Sequence, residues 1–439
     1  MTSFYIKVVG VLFGTAVTFA LAGAYNSTTS VQRGNPGLGM DLIEKNDALI
    51  ARSKANVAPP ALPPASQDGQ LSVDAYKNVQ VLGHITSGEM TRLMTAMTLW
   101  VAPKEGCVYC HAPQRDATGN IVTDASGAPQ ADPNNLHSDE QYTKRVARRM
   151  LQMTMHINSK WSSHVKETGV TCYTCHRGNP VPTQIWYDEP ENPQAASALG
   201  DNAGQNAPSA VAGLSSLPSG VFRPFLAGEE GVRVISTEPL PIDNRLSIKQ
   251  TEYTYGLMMH ISTALGVNCT HCHNTRSMAD WSTSPQVRAQ AWYGIRMARD
   301  LNATFLEPLA PTFPKNRLGP TGDAPKVNCA TCHQGAYKPL LGAPMLAGYR
   351  VLAEAKPQPP KSPPPPPPPA VDPAAATDPG SAPPPPGAPA STVPAAPAAA
   401  PAAAPAPAAA PPAAPAKATA PPPPAAAAKG NPPAAPAPH

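Results

Sequence analysis

Three stretches of this chain place apolar residues at helical spacing and share one hexapeptide pattern. Met90, Leu93, Met94, Met97 and Val101 fall on one face of a predicted amphipathic helix, within which L-M-T-A-M-T starts at Leu93. The pattern returns as R-M-L-Q-M-T from Arg149 and as L-M-M-H-I-S from Leu257. All three fit x-M-x-x-(M/I)-(T/S), the mark of one helical unit copied along the chain. The second of these helices is expected to run on through Trp161 and His164, and a fourth helix is predicted around Ala291 to Phe305. The N-terminus differs in kind. Phe4 to Ala24 is apolar or small except for Lys7 and two threonines. As a helix it would reach about 31 Å at ~1.5 Å per residue, enough for a bilayer core, with Lys7 able to snorkel. A single-span anchor is the expectation, and Ala22-Gly23-Ala24 makes a cleaved signal peptide the alternative.

The other end has no apolar pattern. From about Lys356 to His439 the chain is almost wholly Pro and Ala, with seven consecutive prolines from Pro363 to Pro369. Such a composition has no large side chains to bury and is expected to be a disordered, polyproline-like tail. Val181 to Arg245 is rich in Gly, Pro, Ala and Ser and is read as a connector; Pro113 to Leu136, with D-A-T-G-N and D-A-S-G-A turn signals, is read as a surface excursion. Net charge of +4 over 439 residues is unremarkable and argues against a nucleic-acid partner.

The chemistry lies in the cysteines. All eight fall in C-x-x-C-H motifs: Cys107, Cys110 and His111; Cys172, Cys175 and His176; Cys269, Cys272 and His273; Cys329, Cys332 and His333. Two thiols followed at once by a His form the attachment signature of c-type haem, with thioether bonds to the macrocycle and the His on the iron. The rival reading, two zinc sites of four thiolates each, has no need of a His after every second cysteine. Four covalent haem c groups are therefore expected, which places the body of the chain outside the cytoplasmic membrane and leaves no thiol for a disulfide. No Cys precedes Cys107, so no N-terminal lipid-bearing cysteine is expected.

Each His-bound iron has a sixth position, and a Met thioether there raises the reduction potential. The repeat selects the methionine. Its later apolar position is Ile261 in the third copy, so Met97 and Met153 read as packing residues. Met94, Met150 and Met258 occupy the position that is Met in all three, lying 13, 22 and 11 residues before their first haem cysteines. The fourth unit departs from this pattern. Met297 is its only helical methionine, but it lies 32 residues before Cys329 with five prolines between. Beyond the four motif histidines the chain has His84, His137, His156, His164, His260, His271 and His439. Spacing leaves Met297 and a distal His both open for the fourth iron.

Several stretches resemble the tetrahaem cytochrome subunit of the purple-bacterial photosynthetic reaction centre. They are R-R-M-L-Q-M-T…W-S-S-H-V…G-V-T-C-Y-T-C-H-R-G, L-M-M…L-G-V-N-C-T-H-C-H-N, W-Y-G-I-R-M-A-R-D-L-N…C-A-T-C-H-Q-G, and Y-K-N-V-Q-V-L-G at Tyr76 to Gly83. The likeness runs from about Val31 to Tyr349 and excludes the anchor and the tail. It implies three His/Met haems and one bis-His haem, with His164 as the distal ligand of the fourth. It also implies a mainly α fold whose four helix-plus-haem units form two pseudo-twofold-related halves, about Leu71–Pro180 and Leu246–Leu341. The chain then divides into residues 1–25 (anchor or signal), 26–70 (extended arm), 71–180 (units one and two), 181–245 (connector), 246–350 (units three and four) and 351–439 (tail).

An iron with two protein ligands has no vacant site for nitrite, peroxide or oxygen, so electron transfer rather than substrate conversion is expected. The resemblance implies the direction. Electrons would pass from a soluble c-type cytochrome or high-potential iron–sulfur protein to the photo-oxidised bacteriochlorophyll special pair. The acceptor side would be the reaction-centre L and M subunits, at the periplasmic face of the membrane. The third haem would lie nearest the special pair, followed by the fourth, second and first. A multihaem reductase would instead need an open or labile sixth ligand. A quinol-oxidising tetrahaem cytochrome would lack the three methionine-bearing helices in these surroundings.

Overall fold

The computed structural model describes residues 27–34, 37, 39–189, 220–234 and 248–356. The expected anchor, most of the connector and nearly all of the Pro/Ala tail lie outside them. Backbone contacts divide the chain into two units, residues 1–365 and 366–439, and every described residue belongs to the first. The described part is mainly helical with little sheet. Among the described residues no helix is long and apolar enough to cross a membrane.

The arm begins with a hairpin. Strands β1 (Thr28–Arg33) and β2 (Met40–Lys45) pair antiparallel, Thr28 opposite Lys45, and lead into helix α1 (Asn46–Ala55). A short turn α2 (Ser72–Ala75) precedes the first long helix, α3 (Ser87–Val101), whose N-terminus is capped by Thr86 accepting from the Glu89 amide at 3.2 Å. Between the first motif and the next long helix, Pro113 to Ala131 folds as a ladder of isolated bridges (Pro113 with Ala131, Arg115 with Ile121, Thr123 with Pro129).

Helix α4 (Tyr142–Lys160) stops earlier than its periodicity suggests. Trp161 leaves helical geometry at φ −105°, ψ 24°, and His164 sits in a separate turn, α5 (Ser162–Val165). The Trp161 indole explains the break: its Nε1 donates to Asp300 Oδ2 at 2.7 Å, a carboxylate on another helix, and so turns the chain there. The second motif forms α6 (Cys172–His176). After the two-residue strand β3 (Ile185–Trp186) come α7 (Ile248–Leu265) and α8 (Val287–Leu301). Strand β4 (Lys326–Val327) pairs with β3 and enters the fourth motif, α9 (Cys329–His333). The helix containing Met297 thus begins four residues before its expected start and passes at Asn302 into a wider turn through Leu306.

Three apolar clusters organise these elements. The first joins Leu82, Leu93, Trp100, Leu151, Met155 and Cys172 to Leu346, Tyr349 and Leu352. Tyr349 is clamped from two sides, with Trp100 edge-on at 4.6 Å and the Arg92 guanidinium over its ring at 4.2 Å. The chain beyond the fourth motif thus returns to the first half, and Leu352, assigned above to the tail, is fully buried there. The second cluster gathers Leu257, Ile261, Ile295 and Ala298 around Val221, Phe222, Phe225 and Leu226. These last four come from the stretch read as a featureless connector. Cluster three joins Ile157 and Val170 to Leu301 and Phe305, one pair from each half.

Candidate haem sites

The four motifs adopt two local forms, alternating along the chain. The first and third lie in tight 3-10 turns, Gly106–Tyr109 and Cys269–His271. The second and fourth are single α-turns closed by reciprocal caps, Thr171 with Thr174 and Asn328 with Thr331. Both α-turns end in a left-handed residue, Arg177 (φ 50°) and Gln334 (φ 46°), each followed by a glycine with positive φ. Each glycine amide then donates to a helix one repeat away: Gly178 to the Trp100 carbonyl at 2.9 Å, Gly335 to the Ala264 carbonyl at 2.7 Å. Trp100 is six residues after Met94 and Ala264 six after Met258, so this contact is duplicated in register.

Every motif histidine is turned the same way. Nδ1 faces a backbone carbonyl in all four: His111 to Leu136 at 3.1 Å, His176 to Asn179 at 2.9 Å, His273 to Met278 at 2.7 Å and His333 to Ala336 at 2.9 Å. With Nδ1–H donating there, Nε2 keeps the lone pair a metal needs, which is the usual outer-shell arrangement of ligating histidine. Burial pushes all four below the ordinary histidine value, His333 to about 4, which maintains the neutral, ligand-competent ring. Burial pushes four of the thiols up, Cys110 and Cys272 to about 11, Cys172 and Cys329 to about 12. Among the described residues no three His, Cys, Asp or Glu side chains converge to hold a metal ion.

Methionines Met94, Met150 and Met258 are half-buried on α3, α4 and α7. Thr98 and Thr154 bend back to the Met94 and Met150 carbonyls at 3.0 and 2.9 Å, the same contact at the same repeat position. Helix α3 packs on the second motif, the second motif on the fourth, and the fourth on α7. Cys175 and Cys332 bring their sulfurs to 2.8 Å at the centre of that line.

His164 matches the motif histidines in its hydrogen bonding. Its Nδ1 faces the Gln290 carbonyl at 2.9 Å, burial holds it below the ordinary value, and its ring centroid lies 6.1 Å from that of His333 at 70° between planes. One iron held between two imidazoles by bonds of ~2 Å sets the centroids about 6 Å apart. The residues therefore fit a bis-imidazole iron site. Met297 instead packs into the third apolar cluster together with Met153. Three of the other histidines have different neighbours: His156 pairs with Asp300 at 2.6 Å, His260 is buried edge-on to Phe222 at 4.5 Å, and the His271 ring lies 5.6 Å from that of Tyr337. His439 lies outside the described residues.

Two residues of the site region escaped the sequence reading. Asn158 Nδ2 donates to the Val170 and Leu352 carbonyls at 2.9 and 2.7 Å, and its Oδ1 accepts from the Val170 amide at 2.7 Å. Asn302 does the same in the other half, with Leu226 O at 2.8 Å, Val327 O at 3.0 Å and Val327 N at 2.8 Å. Val170 and Val327 each stand two residues before the first cysteine of a motif, so a buried amide fixes the entrance to the second and fourth motifs alike.

Residues 25–353 match the family model described as the photosynthetic reaction centre cytochrome C subunit. The chain belongs to that family. It is 49% identical over 327 residues to the photosynthetic reaction center cytochrome c subunit of Rubrivivax gelatinosus, covering 74% of this chain and 84% of that one. Identity to the subunit of the same name from Thermochromatium tepidum is 43% over 318 residues (72% and 73% covered). For that of Roseobacter denitrificans it is 38% over 362 residues (79% and 92%). Reaction-centre cytochrome c subunits are electron-transfer proteins of photosynthesis that bind haem c covalently, and they associate with a membrane-bound complex.

Proposed function

We propose that this chain holds four haem c groups and re-reduces the photo-oxidised special pair with electrons from a soluble periplasmic donor. The observation that carries the reading is the common posture of five histidines: His111, His176, His273, His333 and His164 all satisfy Nδ1 on a carbonyl and leave Nε2 for iron. Bound haem c supplies a reversible one-electron iron couple. The protein's part is to attach, ligate and order. Cys107 and Cys110, Cys172 and Cys175, Cys269 and Cys272, and Cys329 and Cys332 hold the macrocycles by thioether bonds. Met94, Met150 and Met258 complete the first three sites with a soft sulfur that favours ferrous iron, and His164 completes the fourth with a harder nitrogen. Filling the sixth position everywhere removes the open coordination that a reductase would need.

Packing of α3 on the second motif, that motif on the fourth and the fourth on α7 supports the unit order one, two, four, three. In that order unit three would face the L and M subunits, and unit one would meet the donor, a small c-type cytochrome or a high-potential iron–sulfur protein. The duplicated glycine and asparagine contacts support two related halves, residues 71–180 and 246–350. Phe4 to Ala24 would anchor the subunit at the periplasmic face, with residues 351–439 mostly a tail beyond the haem body. The test is haem quantification with intact-mass analysis of the purified subunit, and flash-induced haem oxidation in photosynthetic membranes. Four haems per chain and oxidation that follows the special pair are expected. A smaller complement, or no light response, would reject the reading.

A further inference from the structure

The two buried asparagines give a register that the methionine pattern alone does not. Asn158 and Asn302 make equivalent bonds to Val170 and Val327, each two residues before a haem cysteine. Aligning them places R-M-L-Q-M-T of α4 on Y-G-I-R-M-A of α8, residues 149–154 on 293–298. Met153 then falls on Met297, and both pack into the same apolar cluster. Met150 falls on Gly294. The fourth unit therefore has its packing methionine but a glycine where the other three units have Met94, Met150 and Met258.

Gly294 is the middle residue of the 15-residue helix α8, where glycine is an unfavourable choice and alanine the best. Its own backbone is ordinary helix and calls for no positive φ. What requires glycine is the neighbour. A Cβ at this position would lie 2.8 Å from His164 Cε1 and 3.3 Å from both ring nitrogens. The same imidazole donates to the Gln290 carbonyl at 2.9 Å, one helical turn before Gly294, so it lies directly against the helix backbone. The ring occupies the space that a methionine side chain would enter.

We propose that Gly294 is the residue that makes the fourth site bis-histidine. By removing the unit's own methionine and its Cβ, it admits His164 from the other half as the distal ligand. This rests on the assignment of His164 and His333 to one iron. Gly294 touches no iron; it positions the ligand and excludes the competing one.

The test uses intact haem-loaded complexes carrying Gly294→Ala, Gly294→Met, His164→Ala, and Gly294→Met combined with His164→Ala. Low-temperature electron paramagnetic resonance of the oxidised haems and redox titration are the readouts. Gly294→Ala should displace the imidazole and shift the bis-histidine signal and its midpoint at unchanged haem content. Gly294→Met should abolish that signal and raise the midpoint. With His164 truncated, the new methionine has room, and the double variant should show a fourth His/Met haem that does not bind carbon monoxide. A Gly294→Ala protein with the wild-type signal and midpoint, or a double variant whose fourth haem binds carbon monoxide, would overturn the role of Gly294 alone. A wild type without a bis-histidine signal, or a His164→Ala protein that keeps it, would overturn the ligand assignment and this inference together. If Gly294→Met fails to assemble, the alanine and double variants decide.

Discussion

Replacing Asn302 by leucine removes a buried amide while keeping the branching at Cγ and the number of side-chain heavy atoms. Three bonds are lost: Nδ2 to Leu226 O (2.8 Å), Nδ2 to Val327 O (3.0 Å) and Val327 N to Oδ1 (2.8 Å). The Val327 carbonyl still accepts from Trp186 Nε1 at 2.9 Å, so its loss is small. The Val327 amide and the Leu226 carbonyl lose this partner inside the protein, at about 1–3 kcal/mol each, and leucine's extra apolar burial returns part of that. The net expectation is a loss of about 3–4 kcal/mol. Guanidinium unfolding of the haem-loaded subunit, followed by far-ultraviolet circular dichroism, measures it against wild type. Asn158→Leu should cost a similar amount, because it strips the equivalent bonds from Val170 and one more from Leu352. A loss below about 1 kcal/mol in both variants would refute the view that these amides hold the motif entrances in place.

Exchanging Met94, Met150 or Met258 for His should lower one midpoint in each variant, since the thioether favours ferrous iron; a titration with four unchanged midpoints would reassign the methionines. Lys326 is fully buried, with Nζ 3.0 Å from Asp188 Oδ2, bonded to the Asp323 carboxylate and 4.8 Å over the Trp186 ring. Lys326→Met leaves the Asp323 carboxylate without its cation, while Asp188 keeps Arg223 at 3.0 Å, and should cost about 3 kcal/mol, so an unfolding midpoint close to wild type would contradict it. Burial works against the Asp300 charge, but hydrogen bonds from His156, Trp161 and Thr304 outweigh it and hold the carboxyl below its ordinary value. Its contribution to stability is therefore present above the unfolded value of about 4 and is lost as pH falls below that, and Asp300→Asn should flatten the acid limb of a stability–pH curve.

Local signals carried most of the chemistry. A C-x-x-C-H motif takes five consecutive residues, and a repeated helix takes an apolar face with one methionine kept in register, so both can be read along the chain. What could not be read depends on distant partners. The V-F-R-P-F-L segment has no helical or strand period, and its burial follows from α7 and α8 packing against it, with the Arg299 guanidinium bonded to the Phe225 carbonyl at 3.1 Å. The end of α4 at Lys160 is set by Trp161 reaching Asp300, 139 residues away. Leu352 sits beside a proline-rich sequence yet belongs to the first core through Tyr349 and Asn158. Gly294 was hidden for a different reason: its signal is a missing methionine, visible only once Asn158 and Asn302 supply the alignment.

The central claim is three His/Met irons and one bis-histidine iron, the latter held by His164 and His333. A redox titration of native membranes monitored by low-temperature electron paramagnetic resonance tests it most directly, repeated on His164→Met. The account predicts four one-electron components in the native protein, one with a bis-histidine signal that disappears in the variant as its midpoint rises. Four His/Met haems in the native protein, or a bis-histidine signal that survives His164→Met, would contradict it.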